Sequence, residues 1–292
     1  MFSFISKIQN KKKQEKRNKL DLKINLYIEK ISEKLKINKE INFVHSGHLG
    51  DLINSLPVIK EISKNTKCNL FVNINKKIGV SGYSQYHPSK EFFLTKNSYE
   101  KLFPLLNSQN YLSRVEVYKE QKIDIDLDYF RELPLNFNID SVRWYAHLTG
   151  VTPELSSPYL LNIKINEKYK NKIVFMRSLR RQNNQINFRF LEKYRNLIFI
   201  GLEKEFIDLK KQISNLEFYD CADFLEMAEI IKSSRLFIGN LSFGYTIAEA
   251  LKTPRLLESY LDFPLVYPNG LNGREFYFQA HFEKFVKEII KN

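Results

Sequence analysis

The sequence predicts an α/β protein made of two parallel-sheet halves that face each other across a cleft. Three observations predict it. Short apolar segments alternate with amphipathic helical ones, a rhythm that specifies parallel strands covered by helices. The rhythm runs twice, broken at VTPELSSPY (151–159), whose Pro and Ser content marks a linker. A chain of 292 residues exceeds one ordinary domain and suits two.

The predicted organisation is a basic leader and helix over 1–40, a first half over 41–155 and a second over 156–292. In the leader, Leu22, Ile24, Leu26, Tyr27, Ile28, Ile31 and Leu35 recur at mostly helical spacing among Lys and Glu. The first half opens with strand 41–46, the turn GHLGD and an amphipathic helix over 52–63 that tolerates Pro57 in its first turns. Strands are expected at 67–75, 113–119 and 122–130, with a mostly irregular region between the first two of these. A helix over 139–151 ends at Gly150. The second half reads as strand 172–178, helix 188–195, strand 196–201, helix 204–214, strand 216–220, helix 223–234, strand 235–240, helix 245–252 and strand 255–259.

Hydrophobic residues make up 43% of the chain and aromatics 14%, too apolar for disorder. Cys68 and Cys221 stand alone and support neither a disulfide framework nor a zinc site, so a reducing, cytoplasmic setting is expected. The amino terminus has the reverse order of a signal peptide, and no uncharged apolar run approaches membrane-spanning length. The net charge of +13 is concentrated in the leader: residues 1–40 hold twelve Lys and Arg against five Asp and Glu. With no nucleic-acid-binding motif alongside, the charge does not argue for nucleic acid. It fits a membrane-surface foot in residues 1–20. There Phe2, Phe4 and Ile5 would enter headgroups while Lys7, Lys11, Lys12, Lys13, Lys16, Arg17 and Lys19 meet anionic lipid; the alternative is a helix packed on the first half.

Two turns carry the candidate chemistry. In HSGHLGD (45–51), Gly47 and Gly50 allow close backbone approach, and Asp51 stands at a helix start facing the cleft. A carboxylate there caps the helix, or takes a proton from an attacking hydroxyl, or does both; His48 is the second candidate base. In GNLSFGYTIAEAL (239–251), Asn240, Ser242, Phe243 and Gly244 form a strand-to-helix turn whose free amides favour a diphosphate. Gly201, at the end of a neighbouring strand, is counted with the donor-binding residues. Arg177, Arg180 and Arg181 are placed to neutralise a pyrophosphate leaving group, and Glu249 and Glu258 to accept from ribose hydroxyls.

At these residues the chain resembles the bacterial heptosyltransferases of lipopolysaccharide assembly, glycosyltransferase family 9, and similar GT-B transferases. The resemblance rests on SGHLGDLINSLPVIKEI (46–62), KIDIDLDYF (122–130), FIGLEKEF (199–206) and 223–258, and covers most of 41–260. It implies two Rossmann-like domains and an inverting, metal-independent transfer from a nucleotide sugar, with no further cofactor, to a glycan or glycolipid hydroxyl. Asp51 matches the family's base and the 242–244 turn its donor-phosphate site. Where the family has Asp-Thr-Gly followed by a His, this chain has Asn240, Leu241, Ser242, Phe243 and Gly244, so the donor's identity does not carry over.

Other readings stay open. Asp124, Asp126 and Asp128 would share one face of a strand and suggest a metal site of the Asp-X-Asp kind. A GT-B-fold epimerase or hydrolase would need more acid and base groups, which His45, His48 and Glu205 could supply. A non-catalytic binder would show a continuous basic face in place of a cleft.

Overall fold

The computed structural model describes residues 2–79, 91–133, 139–263 and 265–291. A single helix, α1 (Phe2–Ile37), replaces the expected leader plus helix, consistent with a stretch free of Gly and Pro. Its carboxyl half docks: Ile24 and Ile31 are buried, and Tyr27 stacks on Tyr129 at 4.0 Å. Lys16, Arg17 and Lys19 stay exposed, while the side chains of Phe2, Phe4, Ile5, Lys7, Lys12 and Lys13 lie outside the described ones.

In the first half, β1 (Glu40–His45) leads through the glycine turn into α2 (Leu49–Ile62), followed by β2 (Lys67–Val72). The region expected to be irregular contains a capped helix, α3 (Lys96–Asn107), whose Thr95 side chain accepts from the Ser98 amide at 3.2 Å. After β3 (Arg114–Val117) comes β4, which is only Ile125–Asp126. The Asp126 carboxylate accepts from the Asp128 amide at 2.9 Å and caps a 3-10 turn over Leu127–Glu132, ending the expected longer strand. Helix α4 (Val142–Thr149) stops at Gly150, whose φ of 70° is the left-handed conformation of a helix end. The four strands run parallel in the order β3-β2-β1-β4.

The second half contains β5 (Ile173–Met176), β6 (Leu197–Ile200), α5 (Glu203–Lys210), β7 (Glu217–Tyr219), α6 (Phe224–Ser233) and β8 (Leu236–Gly239). Then follow α7 (Phe243–Leu251), β9 (Arg255–Glu258), β10 (Gly273–Phe276) and α8 (Gln279–Lys291). The helix expected over 188–195 is a five-residue 3-10 turn, Arg189–Lys193. These strands are also parallel, in the order β10-β9-β8-β5-β6-β7.

Strand β5 shows how the layers form. Ile173 and Phe175 pack with Phe199, Phe276 and Phe282 on the outer face, while Val174 and Met176 face an inner cluster. That inner cluster crosses between the halves, from Ile41 and Phe43 to Tyr245 and Ile247. Polar straps reinforce it: Tyr111 Oη donates to the Tyr159 carbonyl, and the Leu161 amide to Gln109 Oε1, each at 2.7 Å. Helices α2 and α7 pack on each other, which brings the carboxyl ends of β1 and β8 together.

Candidate active site

The first turns of α2 and α7 meet at the junction of the halves, where a Cβ added at Gly50 would lie 3.5 Å from Thr246 Oγ1. On the α2 side, Gly47 must be glycine, since a Cβ there would fall 2.1 Å from Cε1 of the buried His45 ring. Asp51 is the third residue of α2. Its Oδ2 accepts from the His48 amide and from Arg131, both at 3.4 Å, and its side chain is 20% exposed. Among the described residues Oδ1 has no hydrogen bond. The cap role is therefore real but weak, and one oxygen stays open to a reacting group.

His48 packs against Phe93 and its Nδ1 lies 3.0 Å from the Phe93 carbonyl. Burial pushes its imidazole below the ordinary value; Arg131 and Arg180 act in the same direction, and Asp51 opposes them. Arg180, in the loop after β5 of the other half, therefore lies close enough to His48 to act on it electrostatically.

Behind Asp51 lies a charged network centred on Asp128. Its carboxylate accepts from Arg131 at 2.7 Å, Lys76 at 2.9 Å and the Ser46 amide at 2.9 Å, with His45 Nδ1 at 3.2 Å. Burial by itself would raise this carboxyl; His45, Arg131 and Ser46 outweigh it and hold the group well below the ordinary carboxylate range. Arg131 lies 4.4 Å from the ring centroids of both Phe93 and Phe130. The sequence reading missed it, and a single Arg after Phe130 offers no motif by which to find it.

The aspartate triplet does not line one face. Asp124 Oδ2 accepts from the Asn42 amide at 3.0 Å, Asp126 caps the 3-10 turn and Asp128 belongs to the network. Because β4 ends at Asp126, the alternation that would aim three carboxylates at a cation is absent, and no cluster of three or more metal-type ligands occurs among the described residues.

The α7 side departs further from expectation. Arg177 and Glu258 form a buried bidentate pair at 2.6 and 2.7 Å, and Glu258 also accepts from the Asn183 amide at 2.6 Å. Glu249 accepts from Arg255 at 2.6 Å and from the Asn269 amide at 3.0 Å, and pairs with Lys252. Arg177 is therefore no free phosphate ligand, and neither Glu is open to a ribose, because each is neutralised below the surface. Asn240 is buried and ties the carbonyls of Ser178 and Arg180, each at 2.9 Å, so it shapes the β5 loop.

Gly244 and Gly201 instead enclose Met176. The Gly244 amide points at Met176 Sδ at 3.0 Å, and a Cβ at Gly244 would sit 2.6 Å from that sulfur. Gly201, at φ 126°, faces Met176 Cε. Gly244 thus serves packing, and one amide of the expected anion turn is already engaged. Ser242 and Phe243 remain half-buried at the rim, with Phe243 edge-on to Phe224 at 4.7 Å. Arg180 is half-buried, and Arg181, at φ 60°, lies over Phe263 at 5.0 Å.

Of the other acid and base candidates, His45 is sealed beneath the turn, its Nε2 2.8 Å from Tyr145 Oη. Glu205 is buried at the start of α5, and burial raises its carboxyl above the ordinary value.

Two parallel-sheet halves with a strand–turn–helix from each meeting at their junction define the GT-B architecture. A glycosyl transferase family 9 protein from Veillonella parvula shares it, at a TM-score of 0.55 and 12% identity over 87% of this chain and 89% of that one. The E. coli heptosyltransferase WaaC, solved with ADP, is similar over 86% of this chain and 99% of its own, at a TM-score of 0.50 and 11% identity. No protein-family model and no curated protein matches the sequence.

Proposed function

We propose that this chain is a glycosyltransferase that moves a sugar from a nucleotide-sugar donor to an acceptor hydroxyl, with inversion and without a metal. The observation that carries the reading is the placement of the Asp51 carboxylate, partly open, in the first turn of α2 against the first turn of α7. The acceptor hydroxyl attacks the anomeric carbon as Asp51 takes its proton, and the nucleoside diphosphate leaves from the opposite face. Arg180 and Arg181 meet the leaving charge, in place of the buried Arg177, beside the rim residues Ser242 and Phe243. Proton removal at the moment of bond formation stabilises the transition state and not the ground state. WaaC was solved with ADP, so ADP and an ADP-sugar are the first donors to test.

The test is a nucleotide and nucleotide-sugar thermal-shift screen followed by turnover with the donor found. Asp51→Asn should lose about 10²- to 10⁴-fold in turnover with donor affinity unchanged. Full activity in a folded Asp51→Asn protein would refute the role of the base.

We also propose a peripheral contact of residues 1–20 with anionic membrane, supported by the exposed Lys16, Arg17 and Lys19. No helix among the described residues is long and apolar enough to cross a membrane. Full-length protein should bind anionic vesicles at low salt and lose that binding on deletion of residues 1–20; indifference of the intact chain to such vesicles sinks this contact.

A further inference from the structure

The geometry points to Arg131 as the residue that positions Asp51, held in place by Asp128 as a permanent counter-ion. The inference rests on the proposed transfer reading, since it assigns Asp51 a partner for proton uptake. Arg131 binds its two carboxylates unequally, with Nη1 2.7 Å from Asp128 Oδ1 and Nη2 3.4 Å from Asp51 Oδ2. The shorter contact is a strong charge-assisted bond, and the longer one a loose electrostatic hold. Phe93 and Phe130 fix the guanidinium by ring contact, so its direction does not depend on the charge of Asp51.

This asymmetry suits a group that must change charge. If Asp51 were the only partner of Arg131, each proton it accepted would strand a part-buried cation. With Asp128 in place the cation stays paired throughout, and only the looser contact at Oδ2 alternates between charged and neutral. Oδ1 is left for the acceptor. Asp128 in turn is held by Lys76 and the Ser46 amide, so removing Arg131 does not leave it unpaired.

The charged and titratable groups around Asp51 come from several elements. They are His48 in its own turn, Arg131 and Asp128 from the 3-10 segment, Tyr145 from α4, Lys76 beyond Asp128, and Arg180 from the second half. Among the described residues, Arg131 is the cation that forms an ion pair with the Asp51 carboxylate. A variant at Arg131 therefore reports on that contact more than on the general field.

The experiment uses full-length protein labelled with ¹³C at aspartate carboxyls, with the Asp51 signal assigned by its loss in Asp51→Asn, and follows the titration of that signal by NMR without any ligand. Arg131→Met should raise the Asp51 midpoint by about one pH unit, the low end for loss of an adjacent cation. Arg131→Lys should recover part of the shift. Asp128→Asn should move the midpoint the other way, because Arg131 is then free to close on Asp51. If Asp128→Asn does not fold, the Arg131→Met and Arg131→Lys pair decides alone. An unmoved midpoint in folded Arg131→Met, or shifts of the same sign in Arg131→Met and Asp128→Asn, overturns the inference. Because no substrate is involved, that outcome is separable from failure of the transfer reading, which would appear as absence of nucleotide binding and turnover in the wild-type chain.

Discussion

The turn after β1 and the turn after β8 are built alike, each leading from a buried parallel strand into a helix, yet their charged residues have opposite fates. In the first, Asp51 is held loosely by one oxygen and reaches solvent. Around the second, Glu249, late in α7, and Glu258, at the end of β9, are enclosed with Arg255 and Arg177, and the Gly244 amide is taken by Met176 Sδ. The comparison teaches that a strand–turn–helix does not by itself make a ligand site. What matters is whether the polar groups around the helix start are already satisfied by the protein.

The strongest way to break this contrast is to cut the buried pair. Glu258→Ala should destabilise the protein by about 3–5 kcal/mol in urea unfolding, because it leaves the Arg177 guanidinium buried with Asp208, 4.0 Å away, as its remaining carboxylate among the described residues. A loss below about 1 kcal/mol would mean that water reaches Arg177 and that the pair is not structural.

A smaller effect probes the packing of Met176. Gly244→Val should destabilise by about 1–3 kcal/mol through overpacking against Met176 and Phe237. Met176→Ala in the same chain should recover part of that loss in a double-mutant cycle. Additive losses would return Gly244 to the role of a ligand-facing glycine.

A pH-dependent effect sharpens the boundary between the halves. Asp140 Oδ2 accepts from Asn269 Nδ2 at 3.1 Å, joining the first half to the second. Burial pushes its carboxyl up to about 6, above an unfolded value of about 4. The folded state therefore keeps a proton that the unfolded chain releases, and this group's contribution to stability falls as pH rises from about 4 to about 6. Asp140→Asn should remove that slope and be the more stable protein above pH 6, by on the order of 2 kcal/mol. Parallel stability–pH curves for the two proteins, measured by denaturant unfolding, would show that Asp140 is not desolvated.

What was legible in the sequence follows from the range of the forces involved. Continuous apolar runs such as Ile173–Met176 and Leu236–Gly239 announce strands buried on both faces, and α2 is visible through Leu52, Ile53, Leu56 and Ile59. Helix α3 was hidden by Pro104 and a polar first turn, although Thr95 and Ser98 form its cap. Edge strand β10, with Arg274 and Glu275 exposed, has no apolar run to announce it. The place of Asp51 at a helix start was legible because its turn is local. Its partner Arg131 lies 80 positions away, and Glu258 lies 81 from Arg177, so their pairing depends on the fold and not on spacing.

The apolar cluster that runs from Phe43 to Tyr245 also bears on cooperativity. Neither half can part from the other without delivering a common layer of side chains to water, so each contributes to the other's free energy of unfolding. The α2–α7 contact then acts as a keystone. A lesion on one side of it should be felt as lost stability on the other, and denaturant should meet a single cooperative unit in place of two domains that melt in turn.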